Sequence, residues 1–149
     1  MLIMPRKENK HAKVIICDDD EDDLFLIKSI LEEMEFSHPT VYFHNGLELM
    51  DMLQLQIGKN DHHIGLILLD LNMPKMDGRE TLHLLKTNPA YKRIPVVILT
   101  TSSSPKDIDL CYALGANSFI TKPSSYDQLS DVVNTTIKYW IDLSHLPSR

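Results

Sequence analysis

Six acidic residues run consecutively from Asp18 to Asp23, directly after the apolar stretch Val14-Ile15-Ile16-Cys17. Further residues able to do chemistry follow later apolar stretches: Asp70 after Ile64 to Leu69, Thr100 after Ile94 to Leu99, and Lys122 just beyond Ser118-Phe119-Ile120. Asp18, Asp19 and Asp70, set against one ammonium and one hydroxyl, leave an excess of about two negative charges, which a divalent cation balances. Oxygen donors of this kind suit Mg²⁺ or Mn²⁺, whereas zinc would favour His or Cys. A carboxylate held beside such a cation and an ammonium can attack phosphorus, because both positive groups shield its approach to a negatively charged phosphoryl group. The product is an acyl phosphate on Asp.

That chemistry requires the segments to meet at one edge, and their spacing provides for it. Five short apolar or β-branched runs, the four above and Val41-Tyr42-Phe43, alternate with helical patterns of about ten or more residues. Alternation of this type predicts βαβ units in an α/β fold, a doubly wound five-stranded parallel sheet with five helices, whose strand ends all open on the same side. Helix 1 carries Leu24, Ile27, Ile30, Leu31 and Met34 on one face, and helix 2 spans about Gly46 to Gln54. Helix 3 follows Gly78 and stops before Asn88-Pro89. Helix 4 starts at Ser104-Pro105 and closes at Gly115. Helix 5 covers about Tyr126 to Leu143, with Leu129, Val133, Ile137 and Trp140 on one side.

The chain of 149 residues has the size of one domain, with residues 1–11 expected as a loose leader, 12–143 as the folded unit and 144–149 as a tail. Its 21 Asp and Glu against 15 Lys and Arg give a net charge of −6, and setting aside the six-residue acidic run leaves 15 acids and 15 bases. The excess is therefore local, and no basic footprint for nucleic acid exists. The apolar patch at the start is too short for a signal sequence and no stretch reaches membrane-spanning length, so a cytoplasmic location is expected. Cys17 and Cys111 read as buried thiols.

The segments LILLDLNMPKMDG, ILTTS and GANSFITKP, with the acidic pair after VIIC, resemble the receiver domain of two-component response regulators over about residues 12 to 143. The resemblance implies the CheY-like, flavodoxin-like fold with strand order 2-1-3-4-5. It implies that Asp70 accepts a phosphoryl group from a phosphohistidine on a sensor histidine kinase or phosphotransfer protein. Mg²⁺, or Mn²⁺, would be held by Asp19 and Asp70, by the Asn72 backbone carbonyl, and by Asp18 mostly through water. Lys122 and Thr100 would bind phosphoryl oxygens, with Thr101 beside them where the family usually has a smaller residue. Pro123 would follow Lys122 through a cis peptide bond, and Thr100 with Phe119 would form a switch. The tail residues and the TTS and GANSF segments look like those of single-domain regulators that work with bacterial and cyanobacterial phytochrome kinases. Such relatives self-associate through helix 4, strand 5 and helix 5, and Val132, Tyr139, Trp140 and Leu143 are the candidate interface positions here.

Plainer readings apply to other residues. Asp20, Glu21, Asp22 and Asp23 suit the first turn of helix 1, where unpaired N–H groups and the helix dipole favour acids. His62-His63 suits a solvated loop, and Ser102, Ser103 and Ser104 suit turn and cap chemistry, with Ser102 near enough to the phosphate to influence hydrolysis. A tail that folds back on its own domain is the alternative to dimerisation. Two other functions remain at this point. A haloacid-dehalogenase-type phosphatase would place its D-x-D-x-T/V motif on Asp18, Asp20 and Asp22, where the last residue does not match. A pseudo-receiver would bind partners without phosphorylation.

Overall fold

The structure, a computed structural model, describes residues 11–56 and 63–147. The expected leader, apart from His11, lies outside the described residues, as do His62 and the last two positions of the tail. The elements run β1 (Lys13–Cys17), α1 (Glu21–Glu33), β2 (Thr40–Phe43), α2 (Gly46–Leu55), β3 (Ile64–Leu69), α3 (Gly78–Thr87), β4 (Val96–Thr100), α4 (Pro105–Ala113), β5 (Ser118–Thr121) and α5 (Tyr126–Ile137). All strand pairs are parallel, in the order β2-β1-β3-β4-β5.

The period-two geometry of the central strands sorts their side chains into two apolar layers. Val14, Ile16, Leu66, Leu68, Val97 and Leu99 face α1 and α5, where they meet Leu24, Ile27, Leu31, Leu129 and Val133. Ile15, Cys17, Ile67, Leu69, Val96 and Ile98 face the other way, onto Leu49 and Leu53 of α2, Leu82 and Leu85 of α3, and Cys111 of α4. Both cysteines are buried free thiols, as expected.

Each helix follows the upper end of a strand, α3 after the longer loop 70–77, and most starts are fixed by side-chain caps. Asp20 accepts from the N–H groups of Asp22 and Asp23, Asn45 from Glu48, Asp77 from Glu80, and Ser125 from Gln128. Ser104 occupies the cap of α4 without a capping bond, and Pro105 fixes the first turn instead. Gly115 closes α4 with φ +105°, a conformation that a side chain would strain.

Two boundaries differ from the sequence expectation. Strand β4 starts at Val96 rather than Ile94, because Pro95 has no N–H for the ladder and contributes only its carbonyl, to Ile67 N at 2.9 Å. Helix α5 stops at Ile137, and Lys138–Leu143 continues as a π-helix. The wider turn buries Ile141 fully, while Trp140, expected on the core side, is only partly buried. Ile141 and Leu146 fill the space above Gly65 of β3, where any Cβ would meet both, so the described part of the tail folds back beneath its own sheet.

Candidate functional site

The upper ends of β1, β3, β4 and β5 carry the residues singled out above, and the sheet brings them together. Asp18 and Asp70 are buried, at 3% and 7% exposure, while Asp19 is exposed beside them. One carboxylate oxygen from each of the three lies within 4.8 Å of the others. Main-chain bonds lock the strand ends in register: Asp70 N donates to the Cys17 carbonyl at 2.9 Å, and Lys122 N to the Thr100 carbonyl at 2.6 Å.

The loop after Asp70 is tightly folded. Gly78 N donates to the Leu71 carbonyl at 2.8 Å, and a Cβ on Gly78 would collide with the Asp70 carbonyl oxygen, so only glycine lets α3 start this close to the acid. Lys75 in the same loop adopts the left-handed region with φ 65°. Asn72 lies exposed two residues past Asp70, and Thr101 is exposed one past Thr100.

Lys122 is buried along its side chain, and its Nζ donates to Asp18 Oδ2 at 2.5 Å and to Asp23 Oδ2 at 2.7 Å. Asp23 was not expected there. Its sequence position implies only a place in the first turn of α1, but with Asp20 as the cap it occupies the third helical position, where an acid commonly reaches back past the helix start. Asp18 also accepts from Asp20 N at 2.9 Å.

One cation among several carboxylates sets the electrostatics. Burial pushes the Asp18 carboxyl up to about 6, despite the hydrogen bonds from Lys122 and Asp20 N. Burial likewise raises Asp70, opposed by the charge of Lys122 and the neighbouring Thr100 hydroxyl and reinforced by Asp19. For Lys122, burial acts against the ammonium, but the bonds to Asp18 and Asp23 outweigh it and hold the group above its ordinary value. The lysine is thus oversupplied with anions and the acids are short of cations, which is the condition that a divalent ion relieves. An all-oxygen donor set fits Mg²⁺ or Mn²⁺.

The Thr100 hydroxyl is fully buried and completes no well-formed hydrogen bond, although it stands beside Asp70. Phe119 is half-buried against the layer under α2 to α4. One expectation fails. Among the described residues no peptide bond is cis, so Pro123 follows Lys122 through a trans bond. Trans is the intrinsic preference of such a bond, and here the two carboxylates aim the lysine. The phosphatase pattern fails too, since Asp20, which it needs in the site, caps α1 and Asp22 is exposed.

Residues 14–134 match the family model described as the response regulator receiver domain. The chain belongs to the response regulator receiver family. The receiver is 36% identical to response regulator Rcp1 of Synechocystis sp., over 97% of its own length and 99% of that protein's. It superposes on the crystal structure of the phosphorylated cyanobacterial phytochrome response regulator RcpA with a TM-score of 0.84 and 40% identity, covering 93% of this chain and 99% of the other. The Mn²⁺-bound form of Rcp1 aligns with a TM-score of 0.83 and 36% identity, covering 92% and 99%. The receiver therefore has the CheY-like fold and acts in two-component signalling. No helix among its described residues is long and apolar enough to cross a membrane.

Proposed function

We propose that Asp70 is the phosphoacceptor of this receiver, taking a phosphoryl group from a phosphohistidine on a sensor histidine kinase or phosphotransfer protein. The observation that carries the reading is the burial of Asp70 in a cluster with Asp18 and Asp19 and within reach of Lys122 and Thr100. In the transfer, an Asp70 carboxylate oxygen forms the new O–P bond as the N–P bond of the phosphohistidine breaks. The imidazole leaves with the electron pair and takes up a proton. A divalent cation held by Asp18, Asp19, Asp70 and the Asn72 carbonyl would offset charge on the phosphoryl oxygens. Lys122 exchanges one of its two carboxylates for a phosphoryl oxygen, and Thr100 turns its hydroxyl from the Asp70 carboxyl toward the phosphate. Thr101 shapes the entrance.

The output is a phosphorylation-dependent surface around α4, β5 and α5, with Phe119 reporting the movement of Thr100. The likeness to Rcp1 and RcpA supports a phytochrome-type kinase as the phosphoryl source and Mg²⁺ or Mn²⁺ as the ion. Tyr139 and Leu143 are half-exposed and suit contact with a second copy, whereas Val132 and Trp140 pack on the chain's own core and contribute less. Residues 12–143 form the receiver unit, with 1–11 before it and 144–149 as a tail whose Leu146 packs on it. Incubation with acetyl phosphate and Mg²⁺ followed by intact-mass measurement tests the central claim. An added phosphoryl group that disappears in Asp70→Asn is expected; no adduct on the unaltered protein would favour a pseudo-receiver.

A further inference from the structure

Two carboxylates hold the Lys122 ammonium, and they are not equivalent. Asp18 Oδ2 lies 2.5 Å from Nζ, and Asp18 belongs to the three-acid group with Asp19 and Asp70. Asp23 Oδ2 lies 2.7 Å from the same Nζ, but Asp23 stands outside that group, and its side chain keeps 25% exposure against 4% for Asp18. Lys122 acts on Asp70 through its charge, while its two hydrogen bonds to carboxylates go elsewhere. Asp23 is also pinned at the helix start, where its N–H donates to the Asp20 side chain at 3.2 Å. An ammonium drawn toward Asp70 is therefore drawn away from Asp23, and a side chain with a single methylene on a fixed backbone has little reach to follow it.

We infer that Asp23 is a competing anion for Lys122: it occupies on the ammonium the place that a phosphoryl oxygen takes, and so weakens the hold of the receiver on the phosphoryl group. The contrast between the two acids decides which of them gives way. With a divalent ion among Asp18, Asp19 and Asp70, the charge of Asp18 is shared with that ion, and Asp23 becomes the firmer partner of the ammonium. Asp23 is also the acid that water can reach once the ammonium leaves, so its release costs little, whereas buried Asp18 has no such recourse. Asp23 acts through Lys122 and lies outside the set around Asp70, which makes it a positioning residue. The inference rests on the reading of Asp70 as phosphoacceptor.

Beryllofluoride, a phosphoryl mimic, measures the competition when it is titrated by calorimetry at saturating Mg²⁺ into the unaltered chain, Asp23→Asn, Asp23→Ser, Asp23→Glu and Asp22→Asn. Asp23→Asn and Asp23→Ser are each expected to bind the mimic about three- to ten-fold more tightly, between the worth of an exposed ion pair and that of a charged hydrogen bond. Asp23→Glu restores the carboxylate and should bring the affinity back toward the original. Asp22→Asn removes an exposed charge of the same helix turn that Lys122 does not touch, and should change the affinity by less than about two-fold. Mg²⁺ alone should bind Asp23→Asn less tightly than the unaltered chain, because Lys122 is then left to Asp18 and competes for it. A role confined to starting α1 would lower the melting temperature and move neither affinity. Unchanged or weaker binding of the mimic by folded Asp23→Asn or Asp23→Ser overturns the inference, as does an equal gain in Asp22→Asn or a rise in Mg²⁺ affinity alongside that of the mimic. Failure of the unaltered chain to bind the mimic, with no Asp70-dependent adduct from acetyl phosphate, overturns the phosphoacceptor reading and the competition with it.

Discussion

Without a divalent ion the receiver should lose stability as the pH rises toward neutrality, and Asp18 sets the amount. Its carboxyl is raised by burial from an ordinary 3.8 to about 6. A carboxyl raised on folding favours the folded state below its unfolded value, and that advantage is lost as pH rises through the folded value. Roughly two pKa units correspond to about 3 kcal/mol between acid and neutral pH, of which about 1.4 kcal/mol falls between pH 5 and pH 7.5. The raised Asp70 adds in the same direction. Urea unfolding in EDTA at those two pH values measures the difference. Adding Mg²⁺ at pH 7.5 to about 100 times its dissociation constant should return about 2.7 kcal/mol. Asp18→Asn should flatten the pH dependence in EDTA and weaken the Mg²⁺ effect. Metal-free stability that stays level or increases from pH 5 to pH 7.5 would refute the idea that this site is short of positive charge.

Three further outcomes follow from particular contacts. Gly78→Ala drives a Cβ into the Asp70 carbonyl and should cost about 1–3 kcal/mol, read as a lower urea midpoint with an unchanged slope. Ile141→Ala empties the space above Gly65 and should cost about 2–5 kcal/mol by the same measurement, with acyl phosphate formation retained. Lys122→Met removes the ammonium from Asp18 and from the incoming phosphoryl group, so adduct formation with acetyl phosphate should slow by about 100-fold or more in a timed mass measurement.

The sheet and most of the site were readable because each depends on local pattern. Apolar runs such as Val14 to Cys17 announce strands, and in a parallel sheet whatever follows each run shares one edge, which is why Asp18, Asp70, Thr100 and Lys122 could be grouped from spacing alone. The parts that escaped depend on geometry between distant residues. Asp23 has the character of a helix-start acid, and only the position of Lys122, just past β5, gives it a second role. Arg79, Ser102 and Asp107 look like ordinary surface polar residues until α3 and α4 lie side by side. The cis expectation at Lys122–Pro123 comes from resemblance, and local sequence alone separates the two isomers by only about 0.5–1 kcal/mol. The π-helix reflects the need to seat Ile141 over Gly65, a demand that helical spacing along α5 does not encode.

The seating of Ile141 and Leu146 on Gly65 also concerns the order in which the molecule is made. Those residues emerge from the ribosome more than seventy residues after the glycine they cover, so the layer between β3 and α5 stays open at its base until they have been made. The opposite layer, built from β1 to β4 and α2 to α4, can pack earlier. The nascent protein would then assemble its two sides in sequence, with Ile141 and Leu146 sealing the floor.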